Sequence, residues 1–142
     1  MKTVKRAVAL VMCMLMVACA VLPVWAAGNR MSHGTSYRTN FVIDASGRAT
    51  VSVQYRGNAT SFTNVTVETY IQKKSLGLFW TKVDNGQTDK TWVDSSSATS
   101  GSFTHTLNLD ATGTYRAVFK ITFSGTGAAA DVIEDEIEYV YG

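Results

Sequence analysis

A near-regular alternation of apolar and polar residues in the segment 114–123 constrains the fold of this 142-residue chain more than any other feature. The apolar positions would share one side of an extended backbone, and they are Tyr115, Ala117, Phe119, Ile121 and Phe123. The residues between them are mostly polar or charged. A period of two predicts a β-strand with one buried face and one face in water.

The start of this strand carries a second pattern. Leu109 lies six residues before Tyr115, and Gly113 between them favours a turn. This arrangement resembles the tyrosine corner of immunoglobulin-like and fibronectin type III-like sandwiches, in which the tyrosine hydroxyl bonds back to the preceding turn. We therefore predict structural roles for Leu109, Gly113, Tyr115 and, in the same strand register, Phe119.

Similar alternation recurs along the chain between short turn sequences, in the segments 37–44, 49–56, 65–72, 103–109 and 133–141. A fourth strand is predicted over 78–83, and a weaker, edge-like fifth strand centred on Trp92 and Val93 is predicted over 88–95. The pair Asn85-Gly86 is the strongest short hairpin signal and predicts that the fourth and fifth strands form a hairpin. No helical period of two turns or more occurs after residue 26. The sequence thus predicts an all-β fold, a single antiparallel immunoglobulin or fibronectin type III-like sandwich of seven to eight strands.

The first residues have the pattern of an export signal. Lys2, Lys5 and Arg6 precede an apolar run over 7–22, and Val24-Trp25-Ala26 offers a cleavage site after Ala26. An uncleaved membrane anchor and a lipoprotein processed at Cys19 are the less favoured alternatives. We expect a secreted chain organised as a cleaved signal peptide (1–26), a flexible leader (27–36) that contains His33, and a β-sandwich domain (37–142).

Signal cleavage changes the chemistry that the composition implies. Both cysteines, Cys13 and Cys19, are removed, and ten basic residues remain against eleven acidic ones, so the net charge is about −1. This balance indicates neither a nucleic-acid nor an anionic-membrane partner, and we expect no membrane insertion after cleavage. A secreted domain without disulfides suits a Gram-positive bacterium better than an animal secretory pathway.

Several short motifs together resemble a family of small secreted proteins of unknown function from clostridial-type, Gram-positive bacteria. The matching elements are Gly47-Arg48-Ala49, Gln72-Lys73-Lys74, Trp80 with Val83, Gly113-Thr114-Tyr115-Arg116 and the glutamates of the last strand. The resemblance implies an export signal followed by an immunoglobulin or fibronectin type III-like β-sandwich, and it implies no activity.

The residues that could carry catalysis or hold a metal are few. His33 and His105 are the only histidines, and the motifs of serine hydrolases and zinc proteases do not occur. Glu68 and the acidic residues 134–138 fit the wet faces of strands better than a pair of convergent carboxylates. Calcium ligation by Asp84, Asn85, Asp89 and Asp94 is an alternative to ordinary turn chemistry. We predict no catalytic residue, no metal and no cofactor.

The best candidates for a binding surface are the aromatic residues Phe79, Trp80 and Trp92, with Lys73 and Lys74 close by. Phe79 and Trp80 are neighbours on a strand, so one of them must point away from the core. We expect Trp80 to fill the core, while Phe79 and Trp92 cover the end of a sheet beside Lys73 and Lys74. The expected function is a non-catalytic binding or structural module of the cell exterior, with an extracellular protein or glycan as partner. The alternatives are a carbohydrate-binding module that stacks sugars on these aromatics and a subunit of a surface assembly built through an edge strand.

Overall fold

A computed structural model describes residues 30–142, and the predicted signal peptide lies outside the described residues. The eight strands are β1 (Gly34–Ile43), β2 (Arg48–Gly57), β3 (Phe62–Ser75), β4 (Phe79–Lys82), β5 (Trp92–Ser96), β6 (Ser100–Asn108), β7 (Gly113–Gly125) and β8 (Asp131–Tyr141). Residues 30–142 contain no helix. The predicted all-β fold is confirmed.

The strands form two antiparallel sheets packed face to face. One sheet has the order β1-β2-β6, and the other has the order β4-β3-β7-β8 with β5 also paired to β3. β1, β2 and β6 take the places of strands A, B and E of an immunoglobulin domain, while β3, β7 and β8 take those of C, F and G. The chain is therefore a β-sandwich of the predicted kind.

The core lies between the two sheets and follows the alternation read from the sequence. The inward positions of β2, β3 and β7 are fully buried, and the largest of them are Phe119, Phe123, Ile71, Ile121, Val51, Val53, Val65 and Val67. Burying one such side chain contributes about 1.5–3 kcal/mol. Ala117, two residues after Tyr115, occupies the position of the second cysteine of antibody domains, so packing holds the sheets together at this point.

The tyrosine corner is present at the crossing from β6 to β7. The hydroxyl of Tyr115 donates a hydrogen bond to the carbonyl oxygen of Ala111 at 2.5 Å. The backbone N–H of Leu109 donates to the carbonyl oxygen of Gly47 at 2.9 Å, which ties the same turn to the start of β2. Gly113 has a φ of 150°, a conformation that other residues rarely adopt. The structural roles predicted for Leu109, Gly113 and Tyr115 are consistent with these contacts.

The predicted hairpin at Asn85-Gly86 is wrong. β4 pairs with Gln72–Ser75 and β5 pairs with Val65–Thr69, so both strands run in the same direction along one edge of β3. Asp84 accepts a hydrogen bond from the N–H of Gly86, and this turn lies in the loop between the two strands. A turn dipeptide determines the local backbone only, and the 14-residue β3 is long enough to hold two short partners end to end.

The amino-terminal end of the sandwich also differs from the prediction. β1 begins at Gly34, inside the segment predicted to be a flexible leader, and the side chain of His33 is fully buried. Its Nε2 lies 3.0 Å from the carbonyl oxygen of Ala128, and its Nδ1 lies 3.1 Å from Oγ of Ser61. A Cβ at Gly125 would lie 2.2 Å from this Nδ1, so glycine is required for His33 to occupy its site.

The carboxylate of Asp131 completes this attachment, which we call the amino-terminal clasp (Ser32, His33, Gly34 and Asp131). Asp131 accepts hydrogen bonds from the N–H groups of Ser32, His33 and Gly34 at 2.8, 2.6 and 2.9 Å. Partial burial acts to raise the pKa of Asp131, but these three N–H groups outweigh it and hold that pKa below its ordinary value. The clasp joins residues almost 100 positions apart, which no local pattern indicates.

Candidate functional site

The three aromatic residues proposed for binding lie in two different environments. Trp92 is buried between the sheets with only 8 % of its surface exposed, whereas Phe79 and Trp80 lie on the hairpin formed by β3 and β4. The expectation that Trp80 fills the core and Trp92 covers a sheet end is therefore wrong. Strand register explains the exchange, because Trp80 pairs with the outward Lys74 and Trp92 pairs with the inward Thr69.

Trp92 belongs to a cluster that closes one side of the sandwich. Its indole stacks on the imidazole of His105, with ring centroids 4.8 Å apart and planes 3° apart. Nε2 of His105 lies 2.7 Å from Oδ2 of Asp94. Trp92 and Asp94 come from β5 and His105 from β6, so the cluster connects the two sheets.

The hairpin between β3 and β4 carries apolar side chains away from the core. Leu76, Leu78 and Phe79, which we call the hairpin tip, are 89 %, 77 % and 62 % exposed. The N–H of Leu78 donates to the carbonyl oxygen of Ser75 at 3.1 Å and closes the turn. Leu76 and Gly77 have φ values of 53° and 68°, as in a type I′ turn, where asparagine and glycine are the favoured residues.

Cationic side chains surround the base of this hairpin. The guanidinium of Arg116 lies 4.3 Å from the ring centroid of Trp80, and Nζ of Lys74 lies 5.4 Å from the same centroid. Nζ of Lys82 lies 4.3 Å from the ring of Tyr70 on the same outer face. Such contacts contribute about 0.5–1 kcal/mol each at exposed sites and restrict the side chains involved.

Lys73 completes the group from the other side of β3. Its Nζ lies 5.6 Å from the ring centroid of Tyr115, at the end of the sandwich, whereas Lys74 points to the outer face. Arg116 is anchored by Gln72 at 2.7 Å and by Glu136 at 3.3 Å. We call Lys73, Lys74, Lys82 and Arg116 the basic collar. It places lysine charge on both sides of the hairpin base, while the charge of Arg116 is paired with Glu136.

An open polar depression lies beside Lys82 and the loop between β4 and β5. Its volume is about 580 Å³, and its lining residues are Glu68, Lys82, Gln87, Thr88, Asp89, Thr91 and Val93. Lys82 donates a hydrogen bond to Oγ1 of Thr91 at 2.9 Å across it. The depression presents hydrogen-bonding groups, and it holds neither of the two histidines.

The side-chain oxygens that would have to bind a calcium ion make hydrogen bonds to separate partners instead. Asp84 caps the N–H of Gly86, Asn85 caps the N–H of Gln87, and Asp94 contacts His105. Across residues 30–142, no three side chains of His, Cys, Asp or Glu come together as a metal ion would require. The glutamates of β8 point outward, as their alternation predicts.

Sequence reasoning identified Phe79, Trp80, Lys73 and Lys74 but missed Leu76 and Leu78. The available signal was the absence of any acidic residue from Lys73 to Lys82, combined with Leu76-Gly77 where a polar turn pair is usual. Trp92 leaves the candidate surface because it is buried. The structure thus restricts the candidate site to the hairpin tip and the basic collar.

Comparison with known proteins adds no identity to this site. No protein-family model matches the sequence, and the comparison with curated proteins found no significant match. In the part of the chain from Arg30 onward, no helix has the length and apolar character needed to cross a membrane.

Proposed function

We propose that this chain is a secreted, non-catalytic β-sandwich module of the exterior of a Gram-positive cell, and that it binds an extracellular partner through the β3–β4 hairpin. The export pattern over 1–26 and the lack of cysteine after residue 19 support the location. The observation that carries the binding role is the exposure of the hairpin tip.

Folding alone does not account for the residues of the tip. Leu76 occupies a left-handed backbone conformation, which costs a non-glycine residue about 1–2 kcal/mol. It gains nothing in return from burial, because most of its surface meets water. Large apolar side chains that cluster on a surface mark a site of interaction. A partner that covers Leu76, Leu78 and Phe79 would supply the missing gain.

A matched pair of variants tests this proposal. The triple variant L76S/L78S/F79S removes the tip, and V132S/V140S removes exposed apolar side chains from the outer face of β8. Binding of the labelled, signal-processed protein to intact Gram-positive cells, measured by flow cytometry, should fall at least tenfold for the first variant only. Equal binding by both variants, with melting temperatures close to the parent's, would contradict the proposal.

Carbohydrate binding is the second candidate, and the polar depression beside Lys82 favours it. Phe79 and Trp80 stand on the same short strand as Lys82, so a sugar could stack on an aromatic ring while its hydroxyls bond in the depression. Titration of a glycan panel, followed by tryptophan fluorescence, should then show binding that is lost in both Phe79→Ala and Thr91→Ala. If binding of a glycan were lost only in Phe79→Ala, the glycan would bind at the hairpin tip and not in the depression.

A further inference from the structure

We infer that the partner of the β3–β4 hairpin is an anionic lipid bilayer, with the hairpin tip inserted into the headgroup region and the basic collar facing the phosphates. This inference rests on the proposed binding role of the hairpin and names its partner. It departs from the sequence-based expectation of no membrane insertion, because the sequence alone does not show that Leu76 and Leu78 are exposed.

The order of side chains along the hairpin matches the polarity profile of a bilayer surface. Leu76 and Leu78 lie beyond the first cross-strand pair, Ser75 with Phe79, and Lys74 with Trp80 form the second pair. Lys82 lies three residues behind Phe79, or about 10 Å at 3.3 Å per residue. Interfacial segments bury apolar groups about 5–10 Å deep, with tryptophan and lysine at the level of the headgroups.

The charge around the tip favours an anionic surface over a neutral one. The ten residues from Lys73 to Lys82 include three lysines and no acidic residue, although the processed chain as a whole has a net charge near −1. The net charge supplies no attraction to an anionic membrane, so the attraction has to come from a local group of cations such as this one. Each lysine near such a surface strengthens binding about fivefold.

The backbone of the hairpin is suited to shallow insertion. Backbone groups placed in lipid must be paired internally. Four cross-strand pairs join β3 to β4, and the N–H of Leu78 bonds to Ser75 across the turn. The backbone groups between the two strands are therefore paired within the hairpin, and those along the free edge of β4 remain available to the polar headgroups. A type I′ turn also holds Leu76 and Leu78 outward without rearrangement.

Vesicle binding by the signal-processed chain tests the inference directly. Vesicles of equal parts phosphatidylglycerol and phosphatidylcholine should sediment with the protein, and pure phosphatidylcholine vesicles should bind it at least tenfold less. After loss of Trp25 with the signal, only Trp80 and the buried Trp92 remain. A blue shift of emission and quenching by brominated lipid would thus report entry of Trp80 into the interface.

Variants separate the apolar contribution from the charged one. L76S/L78S/F79S should lower the partition coefficient about a hundredfold, while V132S/V140S should leave it unchanged. K74Q/K82Q should lower binding to anionic vesicles about 25-fold, whereas R38Q/R56Q, on the other sheet, should have no effect. Raising the salt to 0.5 M should weaken binding of the unmodified protein, which tests the charged contribution without a substitution.

The results distinguish failure of this inference from failure of the proposed function. No vesicle binding, or equal binding to neutral and anionic vesicles, would overturn the inference. If L76S/L78S/F79S nevertheless lost binding to cells, the hairpin would still be a binding element, with a protein or glycan as its partner. If L76S/L78S/F79S bound both vesicles and cells as the unmodified protein does, both proposals would be wrong.

Discussion

Trp80 and Trp92 lie on two strands that pair with the same edge of β3, yet they belong to different parts of the molecule. Trp92 stacks on His105 between the sheets, and Trp80 lies on the outer face beneath Arg116. Each indole has a nitrogenous side chain against its ring. They differ because the register of β4 on β3 places Trp80 on the outer face, whereas the register of β5 on β3 places Trp92 on the inner face.

The two tryptophans belong to two groups of residues: contacts that hold the sandwich together, and exposed residues that contribute little to its stability. The amino-terminal clasp and the bond from Leu109 to Gly47 at the tyrosine corner connect segments distant in sequence, and the Trp92 cluster connects β5 of one sheet to β6 of the other. The hairpin that carries Trp80 leads away from the core and ends in exposed leucines. Substitutions in the first group should affect stability, and substitutions in the second should affect binding.

The largest effect is expected from Trp92→Ala. The substitution removes a buried indole and leaves a cavity beside His105, so the free energy of unfolding should fall by about 3–5 kcal/mol. Urea denaturation followed by circular dichroism measures the change. If the free energy of unfolding fell by less than about 1 kcal/mol, Trp92 would contribute no more to stability than we expect of Trp80, and the proposed difference between the two residues would be wrong.

Asp131→Asn should have the next largest effect, because it weakens the charge-assisted bonds of the clasp. We expect a loss of about 2 kcal/mol at neutral pH, and no comparable loss for the exposed Asp110→Asn. Since the folded-state pKa of Asp131 is lowered, its contribution is complete above the ordinary value of 3.8 and is lost as the pH falls through the lowered one. The difference between parent and variant should therefore shrink on acidification below pH 3.8, and a constant difference would contradict the role of the charge.

Tyr115→Phe removes a single hydrogen bond from one of the contacts that close the sandwich. The ring remains buried, and only the bond from its hydroxyl to Ala111 is lost. The free energy of unfolding should decrease by about 1 kcal/mol. Chemical denaturation should show this change without a change in its dependence on denaturant, since the surface buried by folding stays nearly the same.

The smallest effect on stability is expected from Trp80→Ala. The contacts of its ring with Arg116 and Lys74 lie on the exposed face, so the loss should remain below about 1 kcal/mol. Partition of the processed chain to anionic vesicles should decrease in the same variant. A stability loss equal to that of Trp92→Ala would show that the outer face also holds the sandwich together.

The parts of the fold that could be predicted are those determined by local periodicity. The period of two identified the longer strands and the inward face of β7, and the spacing from Leu109 to Tyr115 identified the corner. The placements that failed depend on pairing over long distances. Trp80 and Trp92 could be assigned to a face only from the register of β4 and β5 on β3, and His33 is buried only because Asp131 and Gly125 meet it from the far end of the chain.

The arrangement of β4 and β5 has a consequence for how this chain can vary. The N–H of Val83 still bonds to Ile71, and Trp92 pairs with Thr69, so the segment 84–91 leaves and rejoins β3 only two residues apart. For a loop with such closely spaced ends, each doubling of length costs only about 0.6 kcal/mol of closure entropy. The segment is therefore a position where sequence can be inserted or exchanged while the strand pairings on either side are kept, beside the surface proposed to meet the partner.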